Sequence, residues 1–174
     1  LLQGKIPKLD EEELQSLKDL NLLSLKPTIY IFNVSEEDLN SSAKQEELSK
    51  LVTPNDAIFV NAKLEEELSE LDEESSKELL QEYGQSESGL QKVISSAFNI
   101  LGLQSYLTAG PKEVRAWTIK KGSTAPQAAG VIHGDFERGF IAAQIIDYKD
   151  LVETGSEAGA KAVGKVRTEG KTYV

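Results

Sequence analysis

Lys26-Pro27-Thr28-Ile29-Tyr30-Ile31-Phe32-Asn33-Val34-Ser35-Glu36 joins a β-rich apolar run to a polar turn. Five residues rich in β-branched and aromatic side chains, bounded by Pro27 and Asn33, predict a buried strand of a mostly parallel sheet. A polar helix is expected over 36–51, then a turn at Thr53-Pro54-Asn55-Asp56 and a second buried strand Ala57-Ile58-Phe59-Val60. Strand, helix, strand is a βαβ unit, so the first part of the chain is read as α/β.

Before this unit, Asp10 is placed to cap a short helix running to Leu23, with Leu14, Leu17 and Leu20 on one side. After it, helices are expected through the acidic stretch 64–82 and through 88–101, where Leu90, Val93, Ile94, Ala97 and Leu101 mark one face. The acidic run reads as a solvated helix face. At Gly102 the pattern changes. Tyr106-Leu107-Thr108 and Val114–Ile119 predict a hairpin around Ala109-Gly110-Pro111-Lys112. A small helix near 125–131, a strand Phe140–Tyr148 and helix near 149–164 follow, which suggests an α+β module. Two parts are therefore expected, 1–103 and 104–174.

Composition narrows the function. The 174 residues include no cysteine and one histidine, His133, so disulfides, cysteine-ligated metal and Cys- or His-dependent triads are poor expectations. His133 beside Asp135 is read as a loop residue with a local hydrogen bond. No run of about 20 apolar residues is present to span a bilayer, and the start lacks the basic-then-apolar order of a signal peptide. A cytoplasmic, monomeric protein without membrane contact is expected. The chain opens on Leu-Leu and contains no methionine, which reads as a piece of a longer protein. The net charge of −10 argues against general polyanion binding. It divides unevenly: residues 1–103 carry 9 basic against 21 acidic side chains, and residues 104–174 carry 10 against 8. A polyanion contact belongs in the second part.

Open α/β sheets bind ligands just beyond the carboxyl ends of their strands, where Asn33-Val34-Ser35-Glu36 stands. In GTP-binding proteins the corresponding strand ends in Asn-Lys-x-Asp, whose Asp accepts from two donors on guanine. Here Val34 replaces the Lys and Glu36 the Asp. Adenine offers one amino donor and a ring-nitrogen acceptor on that edge, so a carboxylate at guanine's distance gains a single bond, and adenine is the better match. Asn33 can bridge the base's N7 and nearby backbone, while Val34 offers main-chain groups and an apolar surface. The second strand ends in Asn61-Ala62-Lys63, the place of a loop whose backbone closes over the base. By itself N-x-x-E favours a plain helix cap at Asn33; the preceding strand and the downstream Asn-Ala-Lys tip the reading toward a base site.

The second constellation lies on the hairpin. Lys112, Arg115, Lys120 and Lys121 surround Trp117, and on a strand Arg115, Trp117 and Ile119 share one face. Such a face can contact RNA by phosphate pairing and stacking. The competing use is Trp117 packed against a small core with the charges as ordinary surface.

The chain resembles the YchF-type (Obg-like) P-loop ATPases. Three stretches carry the resemblance: residues 26–36, Asn61-Ala62-Lys63-Leu64-Glu65-Glu66-Glu67-Leu68, and the run from Thr108 to Phe140. It implies that 1–103 is the C-terminal part of a P-loop nucleotide-binding domain with the end of its helical insertion. It further implies that 104–174 is a β-grasp TGS domain whose last strand is truncated. The implied activity is ATP hydrolysis in preference to GTP by a ribosome-associated protein, with ATP and Mg²⁺ as ligands of the intact molecule. Asn33, Val34 and Glu36 match the family's altered specificity motif, and Ala62 and Lys63 its closing loop. Ribosome or RNA contact through the TGS part is implied as well. Against the pattern, no G-x-x-x-x-G-K-[ST] occurs, so neither phosphate cradle nor Mg²⁺-holding Ser/Thr is present, and no catalytic residue is assigned. The chain by itself is expected to be inactive. A non-catalytic TGS module contacting ribosome, RNA or a regulatory protein is the alternative.

Overall fold

The computed structural model describes residues 9–110 and 113–174, which divide into two compact units, the first running to Ile100 and the second starting at Leu101. The first unit opens with α1 (Glu11–Leu17). It is fixed by a reciprocal capping box in which Glu13 N donates to Asp10 Oδ1 at 2.8 Å and Asp10 N donates to Glu13 Oε2 at 3.0 Å. The expected helix stops short of Leu23 because the chain tightens into 3₁₀ turns at Lys18–Leu20 and Leu23–Leu25, with Asn21 left-handed between them. Its leucines gain little cover: Leu14, Leu20 and Leu23 are exposed among the described residues.

β1 (Ile29–Asn33) and β2 (Asp56–Val60) pair in parallel, with Ile29 opposite Asp56 and Asn33 opposite Val60. In-register neighbours Phe32 and Phe59 stack with centroids 5.5 Å apart. The intervening segment is two helices, α2 (Glu36–Leu39) and α3 (Ser42–Val52), where one was expected. The break follows from Ser41, whose hydroxyl accepts from Lys44 N and caps α3. The acidic run divides for the same reason. Asp72 accepts from Ser75 N at 2.9 Å and separates α4 (Ala62–Ser69) from α5 (Glu73–Glu82). The capping bond from the Ser75 amide, with its hydroxyl, lowers the Asp72 pKa below the ordinary carboxylate range. α6 (Gly89–Ile100) completes the unit. Leu39, Ile58 and Leu64 form its buried centre. Full burial of the strands, expected from their composition, is not observed: β1 has a single strand neighbour among the described residues, and Tyr30 and Ile31 stay exposed.

The second unit begins with the antiparallel hairpin β3 (Leu103–Ala109) and β4 (Val114–Lys120), with Tyr106 opposite Trp117. α7 (Ala125–Ile132) lies against it, held where Tyr106 OH donates to Ala128 O at 2.9 Å. Then come α8 (Gly134–Arg138), β5 (Ala143–Ile145), α9 (Tyr148–Thr154), α10 (Glu157–Ala162) and β6 (Arg167–Glu169). The expected strand 140–148 shrinks to β5, which pairs antiparallel with β6. The expected helix 149–164 breaks where Gly155 turns left-handed (φ 69°) and Ser156 caps the next helix through Gly159 N. Among the described residues this unit holds two separate two-stranded ladders, with Ile119 and Ala160 as its buried apolar residues.

Candidate functional site

β1 ends in Asn33 and β2 is followed directly by Asn61, and each asparagine reaches across to the other strand's loop. Asn33 Oδ1 accepts from Ala62 N at 3.1 Å, and Asn61 Nδ2 donates to Val34 O at 2.8 Å. Between them, Val34 N donates to Val60 O at 2.9 Å, continuing the ladder one step past β1. Asn61 also works locally, since its Oδ1 accepts from Leu64 N at 2.9 Å and caps α4. The two loops are thus laced together at the carboxyl end of the sheet, the ligand end of an open α/β sheet.

The structure brings Asn33, Val34 and Ala62 together in this lacing. Asn33 does not cap the following helix; Ser35 does, through Asp38 N. Glu36 is exposed in the first turn of α2, a favourable place for a carboxylate near a helix N-terminus, and it makes no hydrogen bond or ion pair with a described residue. Lys63 extends into solvent with its ammonium 3.6 Å from Glu67. What remains for a ligand is the Asn33 amide NH₂, the second lone pair of Val34 O, the Glu36 carboxylate and the Lys63 stem.

Two residues of this end have side-chain roles that the sequence does not assign. Asn61 carried a legible signal, standing directly after a strand as Ser/Thr/Asn/Asp caps do. Glu65 carried none. From α4 it accepts Gly89 N at 2.6 Å and Leu90 N at 3.1 Å, capping α6 from 24 residues away. A cavity of about 250 Å³ elsewhere in the unit, lined by Leu39, Ile58 and Lys92, contains none of the lacing residues. No group of three or more His, Asp or Glu is placed to hold a metal among the described residues.

On the hairpin, Trp117 is half-buried, its Nε1 donates to Thr108 Oγ1 at 2.8 Å, and the Arg115 guanidinium covers its ring at 4.2 Å. That face also holds Tyr106 and buried Ile119, so it is the side packed toward α7. Arg115 also lies 3.7 Å from Glu113. Lys120 is exposed, and strand alternation puts it on the opposite face from Trp117. Lys121 donates its main-chain N–H to Gly102 O, and Lys112 lies outside the described residues. His133 caps α8, its Nδ1 accepting from Asp135 N at 3.1 Å.

Residues 103–174 match the family model YchF-GTPase_C, described as a protein of unknown function. A protein of Haemophilus influenzae called ribosome-binding ATPase YchF is 48% identical over 168 residues, covering 95% of this chain and 46% of that protein. The Bacillus subtilis protein of the same name is 47% identical over 169 residues, with 94% and 46% covered. The solved structure of the Schizosaccharomyces pombe YchF GTPase superposes with a TM-score of 0.79 at 37% identity, covering 97% of this chain and 46% of that one. The chain spans about half the length of the curated relatives it matches.

Proposed function

The chain belongs to the YchF family, and from that premise we propose that it supplies the base-reading end of an ATP site, together with a partner-binding module, to a ribosome-associated ATPase. In this reading residues 1–103 are the C-terminal part of a P-loop domain with the end of its helical insertion. Residues 104–174 are a β-grasp TGS domain, and the protein works in the cytoplasm. The lacing of the two strand-end loops supports the reading: it holds Asn33 and Val34 at the carboxyl end of the strands, where open α/β sheets bind ligands. With Val34 and Glu36 in place of Lys and Asp, the guanine-reading carboxylate is lost from its usual reach, and adenine is favoured over guanine.

ATP supplies the phosphoryl group that water accepts. The phosphates and Mg²⁺ are held by residues outside this chain, which contains no phosphate loop, so the chain by itself selects a base without cutting a phosphate. Nucleotide titration of the full-length protein tests this. Wild type should bind ATP more tightly than GTP, and Val34→Lys with Glu36→Asp should narrow or invert that ratio. A ratio indifferent to the double substitution would sink the base-site assignment.

A second role is carried by residues 103–174, the part matched by the family model, which combine a near-neutral charge balance with exposed Lys120 on the hairpin. This module contacts the ribosome, RNA or a protein partner. Arg115 and Lys120 with Lys112 and Lys121 are its proposed contact set, and the nucleotide state of the intact protein governs it.

A further inference from the structure

Resting on the base-site reading, we infer that Asn61 is a positioning residue for purine discrimination: it holds the Val34 peptide so that its carbonyl is offered to the base while its N–H is turned away. The hydrogen bonds specify this. Val34 N–H is committed to Val60 O at 2.9 Å and Ala62 N–H to Asn33 Oδ1 at 3.1 Å. Both of these donors are used inside the protein. Val34 O accepts from Asn61 Nδ2 at 2.8 Å and keeps one lone pair in reserve.

A purine with an exocyclic amine at its six-position finds an acceptor there, with the Asn33 amide donating to N7. A purine with a six-position carbonyl meets another carbonyl oxygen at Val34, a pairing that leaves two acceptors facing each other. Selection at that position thus comes from which backbone groups are occupied, as well as from the side chains of Val34 and Glu36. Asn61 is the side chain that sets this, because its Nδ2 fixes the direction of the remaining Val34 lone pair. Its amide oxygen is engaged on Leu64 N, so the amide is held at both ends and cannot turn to present its NH₂ to the base.

The cap and the lacing are separable. Serine caps other helices of this chain, at Ser35, Ser41 and Ser156, so Asn61→Ser keeps a cap on α4 while its short hydroxyl loses the reach to Val34 O. Asn61→Asp keeps the cap and sets a carboxylate oxygen against the Val34 carbonyl. Binding of ATP and of inosine triphosphate, which differ at the six-position, is measured on the full-length wild type and both variants, beside their thermal midpoints. Expected for Asn61→Ser is an ATP affinity lower by about three- to tenfold with inosine triphosphate affinity unchanged, the range of one neutral hydrogen bond. Asn61→Asp should reduce the ratio at least as far. An unchanged ratio in Asn61→Ser overturns the inference, as does an equal loss for both nucleotides, which marks a purely structural residue. Wild type with no preference between the two nucleotides overturns the base-site reading itself, a result distinct from either.

Discussion

Gly89→Ala tests how tightly the start of α6 is pressed against the site-bearing strand. Gly89 is buried, and a Cβ there would stand 2.6 Å from Val60 Cγ1 and 2.9 Å from Glu65 Oε1. Carbon atoms settle about 3.5–4.0 Å apart, so the overlap is roughly 1 Å against a branched side chain anchored in β2. In an open helix the same substitution is favourable by about 1 kcal/mol. Here overpacking of about 1–3 kcal/mol opposes it. The Glu65 carboxylate must also shift from the amide it holds at 2.6 Å. The net expectation is a loss of about 1–2 kcal/mol. Val60→Ala removes the obstructing methyl and, at a half-buried position, costs about 1 kcal/mol by its own lost burial. In that background the residue-60 Cβ at 3.0 Å and Glu65 Oε1 at 2.9 Å still crowd the new methyl, so Gly89→Ala should remain destabilising but by less, giving a coupling of about 1 kcal/mol. Native-state hydrogen exchange of the α6 amides in wild type, both single variants and the double variant reads each term, with about tenfold in protection for each 1.4 kcal/mol. Gly89→Ala raising protection in the wild-type background, or a cycle additive within about 0.5 kcal/mol, would refute the close approach.

Charge reversal at Lys112, Arg115, Lys120 and Lys121 should weaken ribosome association of the full-length protein and flatten its salt dependence; four lost phosphate contacts lower the log–log slope by about 3. Sedimentation across a salt series measures this, and an unchanged slope removes these residues from the contact. Trp117→Phe should leave the same association intact while lowering stability by about 1 kcal/mol, because the indole N–H already serves Thr108 and Arg115 already covers the ring. Burial raises the Tyr106 pKa above the ordinary tyrosine value. The neutral phenol is therefore favoured in the folded state: its contribution is fully present below the unfolded value of about 10 and is lost as pH rises through the folded one. Tyr106→Phe should remove that alkaline component from the unfolding midpoint while also losing the bond to Ala128 O. An alkaline limb identical in variant and wild type would assign it to another group.

The strands of the first unit were legible because Ile29–Phe32 and Ala57–Val60 are short apolar runs with breakers at both ends. The helix divisions were not. Ser41, Asp72 and Ser156 sit inside stretches whose periodicity suits continuous helix, and a polar residue there is equally a surface residue or a cap. Which use it takes depends on whether the preceding turn is already satisfied, a matter of tertiary packing. Alternation on β4 placed Arg115, Trp117 and Ile119 on one face but left open whether that face meets solvent. The register settles it, since Tyr106 opposite Trp117 turns the same face toward α7.

Glu65 and Asn61 mark two kinds of limit at the candidate site. Glu65 stands in a run of three glutamates, any of which suits a solvated helix. It alone turns inward to a pair of amides because Gly89, lacking a side chain, lets the start of α6 come close to Val60 and leaves two N–H groups needing an acceptor. Glu66 is exposed and Glu67 faces Lys63. Asn61 follows a strand where a helix cap is common, and that local role conceals the bond to Val34, 27 residues earlier, which ties one strand's loop to the other's. An alanine there would remove cap and lacing together, whereas serine removes the lacing alone. The chemistry that separates a scaffold residue from a discriminating one is therefore held in the second amide atom of a side chain whose first is already explained.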